Sequence, residues 1–192
     1  ALWKRLGALA RGADALEEWR KIADEAFADM EPEAASAFAR QLAIEEEARG
    51  NPAEAMRWWE RLRALSGGEA DERMQDYRVE ALRALERHYR SEGRWDALAG
   101  VLEALAEGAE PQERVRFLSG VAQISTEKLE DPGRAAEAWE AVRLVDPDHP
   151  AALRNLARLY EELEAFESLY EVLLQQKERA EGAAAERLLL RL

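Results

Sequence analysis

The 192-residue chain contains no cysteine. Disulfide bonds and thiolate metal sites are therefore excluded, because both require the sulfur of that residue. Only two histidines are present, His88 and His149, and a metal site built on either would need carboxylates as its other ligands. An isolated histidine is typical of a structural or solvated position, so we predict no metal and no other cofactor.

Long apolar runs and targeting signals are also missing. The longest run of leucine is Leu188–Leu190, whereas a membrane-spanning helix needs roughly 18 apolar residues. We see no signal peptide and expect a cytoplasmic protein with no membrane partner. The chain begins at Ala1 without methionine and ends within a helical pattern, which indicates a fragment of a longer protein.

Basic residues are fewer than acidic residues. Lys and Arg number 27 against 40 Asp and Glu, which gives a formal net charge of -13 and a pI near 4.8. A field of that sign opposes the approach of nucleic acids and anionic membranes. We therefore expect no nucleic-acid partner. Hydrophobic residues make up 47% of the chain, which is enough for a sizeable core.

Residues 131–175 carry the most specific pattern in the chain. In residues 150–162 a large apolar residue, a leucine, a small residue and an aromatic residue share one helix face: Leu153, Leu156, Ala157 and Tyr160. The preceding stretch has a small residue, a large one and a proline in the turn: Ala135, Trp139 and Pro147. This order resembles the tetratricopeptide repeat (TPR), a helix-turn-helix unit of about 34 residues that stacks into solenoids.

The resemblance implies an all-α fold, a right-handed α-solenoid in a single domain of about five antiparallel helical pairs. The expected pairs are residues 1–30, 33–66, 70–108, 111–147 and 150–181, with a partial sixth at 183–192. That last segment is apolar on one side, so we expect it either to cap the preceding pair or to pack on another copy of the chain.

Two sets of spaced residues recur later in the chain, and these two echoes support the division into pairs. Asn51-Pro52, Ala55 and Trp59 recur 80 positions later as Asp131-Pro132, Ala135 and Trp139. Tyr89, Trp95, Leu98 and Leu102 recur 71 positions later as Tyr160, Phe166, Leu169 and Leu173. We interpret the tryptophans as core residues rather than as the lining of a ligand-binding site, because an alanine one turn away lets two helices interlock around an indole.

No catalytic constellation emerges, so we predict that the protein is not an enzyme. The acidic clusters Glu45–Glu47 and Glu161-Glu162 are typical of solvated helix faces or of partners for arginine one turn away. Asp146-Pro147-Asp148 is interpreted as a turn, because it lacks the further spaced oxygen ligands that calcium requires.

The resemblance also implies a binding groove lined by the first helix of each pair. The residues that fall at groove positions are Lys4, Arg5, Arg11, Arg40, Gln41, Arg83, Arg87, Arg90, Arg154, Asn155 and Arg158, and the acidic residues Glu47, Glu80 and Glu161 fall there as well. Basic residues predominate there although the chain is acidic. Two interpretations stay open: these arginines pair with glutamates of neighbouring helices, or they bind an acidic or C-terminal peptide.

The function implied is that of a scaffold or adaptor that binds a protein or peptide segment. The alternatives are an architectural spacer within a larger repeat protein and a helical regulatory domain of an attached enzyme. Unpaired groove arginines would favour binding, whereas complete pairing with glutamate would favour the spacer.

Overall fold

A computed structural model describes residues 13–65 and 72–179, and within these ranges the chain is all-α. The described helices are α1 (Ala13–Ala28), α2 (Pro32–Ala48), α3 (Pro52–Leu65), α4 (Glu72–Glu92), α5 (Trp95–Glu107), α6 (Pro111–Glu127), α7 (Pro132–Val145), α8 (Pro150–Glu162) and α9 (Phe166–Arg179). The predicted all-α class is confirmed. The helices of three expected pairs pack on each other, α2 on α3, α6 on α7 and α8 on α9, and α4 and α5 fall in the range of a fourth expected pair. The helix predicted before α1 and the partial pair at 183–192 lie outside the described residues.

The chain divides into two compact units at the end of α4. Unit 1 runs to His88 and unit 2 begins at Tyr89. Within unit 1, α1 packs on α2 and α2 packs on α3. Within unit 2, each helix from α5 to α9 packs on the next one along the chain. Neighbouring helices therefore pack in sequence order within each unit, as in a helical repeat.

Proline and side-chain caps determine where the helices begin. Five of the six prolines open a helix, where the missing N–H is not needed and the fixed φ suits the first turn. Asp131 caps α7 by accepting a hydrogen bond from the backbone N–H of Arg134 at 2.9 Å. His149 caps α8 in the same way, because its Nδ1 accepts from the N–H of Ala152 at 3.2 Å.

The turn inside each pair has a left-handed residue that ends the first helix. These residues are Gly50 (φ 75°), Gly93 (φ 67°), Glu130 (φ 53°) and Glu164 (φ 56°). After each of them the next backbone N–H returns to a carbonyl of the helix at 2.9 Å. The carbonyl lies five residues back for Asn51, Arg94 and Ala165, and six residues back for Asp131, which donates to Ser125. This is a Schellman-type stop. The sequence predicts the two glycine stops, whereas the two glutamate stops become visible only in the structure.

The buried positions confirm the predicted core tryptophans. Trp59 is 2% exposed and Trp139 is 3% exposed, and Ala55 and Ala135 one turn earlier are fully buried. The Trp59 indole N–H donates to Glu47 of the preceding helix at 2.9 Å. The first echo therefore marks equivalent core positions in α3 and α7.

The second echo holds only in part. Leu98, Leu102 and Leu173 are buried, but Phe166 is 65% exposed whereas Trp95 is half-buried, so these two aromatic residues do not occupy equivalent positions. Trp95 opens α5, and the ammonium of Lys128, just after α6, lies 5.4 Å from the centre of its ring. Phe166 opens α9, the last described helix, so no described helix follows to cover it.

Replacement of Trp139 by Ala should lower the free energy of unfolding by about 3–5 kcal/mol, because it leaves a large cavity between α6 and α7. Leu144→Ala is the control in the same helix: its side chain is 84% exposed, so its effect should stay within about 0.5 kcal/mol. Urea unfolding followed by circular dichroism measures both. A loss for Trp139→Ala no larger than for Leu144→Ala would contradict the packing described.

Glu164→Gly should raise the free energy of unfolding by about 0.5–1 kcal/mol. A side chain at positive φ is strained by about 1–2 kcal/mol, and this gain exceeds the entropy lost with glycine. Glu167→Gly, in the right-handed first turn of α9, should instead lower the free energy by about 0.5–1 kcal/mol. If both variants lose stability equally in the same urea assay, the left-handed stop at Glu164 is not strained.

Candidate functional site

The predicted groove residues that the structure describes all lie on first helices of pairs. Arg40 and Gln41 lie on α2, Arg83, Arg87 and Arg90 on α4, and Arg154, Asn155 and Arg158 on α8. Lys4, Arg5 and Arg11 lie outside the described residues. The exposed side of α2 belongs to unit 1 and that of α8 belongs to unit 2.

Three pairs of opposite charge join α2 to α4 in unit 1. The pairs are Glu33–Arg73 at 3.3 Å, Arg40–Glu80 at 2.9 Å and Glu47–Arg87 at 3.9 Å. Their members recur every seven residues on each helix, close to two turns, so each set forms one stripe. We call this set the α2–α4 charge ladder.

The middle rung of the ladder is the strongest. The Arg40 guanidinium donates two hydrogen bonds to the Glu80 carboxylate and also lies 5.6 Å from the centre of the Tyr77 ring. Its hydrogen bonds to Glu80 raise the pKa of Arg40 above its usual value, although burial works against this. Gln41 donates to Glu45 at 2.6 Å. Both predicted site residues of α2 are therefore engaged within unit 1.

The arginines of α4 are also engaged. Arg87 donates to the backbone carbonyl of Arg83 at 3.2 Å, in addition to its ladder contact with Glu47. Arg83 is half-buried and Arg90 is exposed, and each of them has an interaction partner. In unit 1, then, the first of the two interpretations describes Arg40 and Arg87: they pair with glutamates of a neighbouring helix.

The prediction for the acidic cluster at the end of α2 holds only in part: Arg49 pairs with Glu45 four residues earlier at 3.8 Å, but Glu46 is not solvated. Glu46 is fully buried, and its carboxylate accepts hydrogen bonds from Arg20 at 2.7 Å, Arg49 at 2.8 Å and Asn51 at 3.0 Å. Burial alone would raise the pKa of Glu46, but these donors outweigh it and hold that pKa below its usual value. The prediction failed for Glu46 because the partner Arg20 comes from α1, 26 residues away in the sequence.

Glu47 joins three helices of unit 1. Its Oε1 accepts the Trp59 indole N–H of α3 at 2.9 Å and lies 3.2 Å from Nε2 of His88 in α4. His88 is thus placed beside a carboxylate, as a structural histidine would be. Among the described residues, no cluster of three or more Asp, Glu and His side chains is arranged to hold a metal ion.

The α8 face in unit 2 is different, because its arginines are open to solvent. Arg154 and Arg158 are exposed on the side opposite the buried Leu156 and Leu159. Arg158 contacts only Glu162 of its own helix, at 3.3 Å, and both side chains are about half exposed. Among the described residues, no hydrogen bond or ion pair involves the Arg154 guanidinium.

Asn155 lies between these arginines, but its side chain already has a hydrogen-bond partner within α8. Its side-chain amide donates to the backbone carbonyl of Ala151 at 2.9 Å, which orients it along α8. A cleft of about 310 Å³ opens beside the end of this helix in unit 2. Its lining residues are Thr126, Glu130, Pro132, Arg158, Leu159 and Glu162. The cleft therefore presents one guanidinium, two carboxylates and a hydroxyl group.

The ladder residues Glu33 and Arg73 were missed by reasoning from the sequence, whereas Glu80 was expected on the groove face but not identified as the partner of Arg40. Each pair joins residues 40 positions apart, and each pair combines opposite charges. A search for opposite charges at a constant separation near one repeat length would have found this signal. The echo at 80 positions, twice that separation, belongs to the same periodicity.

Comparison with known proteins gives no relative: no protein-family model matches the chain, and no curated protein matches it in sequence. None of the helices within 13–65 and 72–179 has the length and apolarity needed to cross a bilayer. The evidence for the candidate site is therefore its geometry alone.

Arg40→Glu should lower the free energy of unfolding by about 1 kcal/mol, because it replaces a partly exposed ion pair with two facing carboxylates. Combining it with Glu80→Arg restores opposite charges and should recover most of that loss. Thermal unfolding of the two single variants and the swap forms a double-mutant cycle. Additive losses in the swap would show that the ladder rung contributes nothing.

Proposed function

We propose that this chain is a TPR-like interaction module, part of a right-handed α-solenoid, that binds a short acidic segment of a partner protein at the solvent-exposed face of α8. Helical pairs with a common stop, and alanine and tryptophan at equivalent core positions, support the repeat assignment. The binding assignment depends on a separate observation.

That observation is the contrast between paired and open arginines. The ladder arginines Arg40 and Arg87 have carboxylate partners on a neighbouring helix, whereas Arg154 and Arg158 are exposed on α8. Residues four apart on a helix lie about 5–6 Å apart, so both guanidiniums can reach carboxylates of one extended peptide. The contact of Arg158 with Glu162 is exposed and worth only about 0.3–0.5 kcal/mol, so a ligand can displace it.

Guanidinium chemistry makes an acidic segment the best fit. Arginine stays charged and holds a carboxylate through two parallel hydrogen bonds. The net charge of -13 repels extended polyanions from the rest of the surface, which favours a short ligand. The cleft beside Arg158 has room for one peptide side chain. The Arg158 guanidinium is the group there that can donate to a carboxylate, because the Thr126 hydroxyl already donates to the Ala122 carbonyl at 2.9 Å.

The architectural spacer remains a second candidate because of the α2–α4 charge ladder. A face whose charges are paired internally along two helices is suited to holding neighbouring helices in register rather than to binding a ligand. In that case the open arginines of α8 would be ordinary solvated residues, and no peptide would bind them selectively.

Fluorescence anisotropy with short glutamate-rich and lysine-rich peptides distinguishes these two functions. The intact chain should bind the acidic peptide selectively, and affinity should fall as salt rises from about 50 mM to 300 mM because exposed charges are screened. Arg154→Glu with Arg158→Glu should weaken binding by about tenfold or more, equivalent to about 1.4 kcal/mol.

Arg63→Glu with Arg116→Glu is the control with the same change in net charge. Both arginines are partly exposed and pair only with a glutamate three residues earlier on their own helix. This control should weaken binding by no more than about twofold through the overall field. Equal weakening by both double variants, or equal binding of the lysine-rich peptide, would leave the spacer function in place.

A further inference from the structure

Helix α1 is attached to unit 1 by little apolar surface. Of residues 17–28, only Trp19 and Ala23 are buried, and Ile22 is 46% exposed. Helix α2, by contrast, buries seven of its residues. The hydrophobic effect, which scales with the apolar area removed from water, therefore holds α1 less firmly than it holds α2.

Arginine makes the contacts between α1 and α2. Arg20 of α1 donates to the buried carboxylate of Glu46 at 2.7 Å. In return, the guanidinium of Arg49, just after α2, lies 4.8 Å from the centre of the Trp19 ring. These two contacts are a charge pair and a cation–π contact, and both depend on charge.

Arginine also makes most of the contacts between α1 and α3. Arg57 and Arg61 of α3 both donate to Asp24 of α1, at 3.1 Å and 2.6 Å. Arg61 in addition lies 5.0 Å from the centre of the Phe27 ring. The one purely apolar contact among these is the edge-on approach of Phe27 to Trp58, with ring centres 5.6 Å apart.

Separation of α1 would leave each of the charged groups it contacts on α2 and α3 with another partner. Glu46 would keep its hydrogen bonds from Arg49 and Asn51. Arg57 would keep Glu54 at 3.2 Å, and Arg61 would keep its place 4.4 Å from the Trp58 ring. Removing one partner of a buried ion pair is normally costly because the other is left uncompensated, and here that cost is small.

We propose that α1 is a salt-releasable helix: rising ionic strength detaches it from α2 and α3 while the rest of unit 1 stays folded. Salt weakens the partly exposed pairs of Asp24 and stabilises the separated charges in solvent. Release uncovers the aromatic surface of Trp58 and Phe27. This device is independent of peptide binding at α8, which lies in unit 2.

Hydrogen exchange of the whole chain, followed by mass spectrometry, tests the proposal. Between about 50 mM and 1 M NaCl, exchange in residues 17–28 should accelerate by about three- to tenfold, as expected when several weak ion pairs are lost. Exchange in α2 and α3 should change much less over the same range. Local opening of one helix is seen in this assay as a separate, less stable unit.

Asp24→Asn should accelerate exchange in α1 already at low salt and make it less salt-dependent, because both arginine contacts of Asp24 weaken. Glu25→Gln is the matched control: this exposed neighbour on α1 has the same change in charge and should leave exchange near that of the unaltered chain. The proposal is overturned if α1 exchanges at the rate of α2 and α3 at both salt concentrations, or if Asp24→Asn and Glu25→Gln behave alike.

Discussion

A buried carboxylate needs hydrogen-bond donors, and the donors to Glu46 come from three parts of unit 1. Glu46 has no exposed surface, so its charge is stabilised only by Arg20, Arg49 and Asn51. Those donors come from α1, from the end of α2 and from the turn into α3. A single side chain thus brings three elements together at one point, next to the left-handed stop at Gly50.

Unit 2 uses related contacts on its second helices. Arg134 of α7 donates to Asp96 at 2.7 Å and to Glu103 at 3.0 Å, both in α5. The Tyr160 hydroxyl of α8 donates to Glu140 of α7 at 2.6 Å, and burial together with this hydrogen bond raises the pKa of Tyr160. The Tyr160–Glu140 hydrogen bond lies where α8 meets α7, and the exposed arginines of α8 take no part in it. That separation of structural and open charges underlies the proposed binding face.

Much of the architecture could be predicted because its signals are local. Proline marks helix starts, glycine marks two of the stops, and alanine at a fixed distance from tryptophan marks core positions. Charge partners were harder to predict, because an arginine can pair with any carboxylate within reach. Glu46 and Arg40 look like ordinary surface residues in the sequence, yet one is fully buried and the other is held by Glu80.

The sequence by itself determined the helical class and the burial of Trp59 and Trp139, because each depends on periodicity within one or two helices. Only the tertiary structure decided which charges are paired. The distance between two side chains on different helices depends on how those helices pack, and an ion pair forms only within a few ångströms. For the same reason the exposure of Arg154 was decided by the packing of α8.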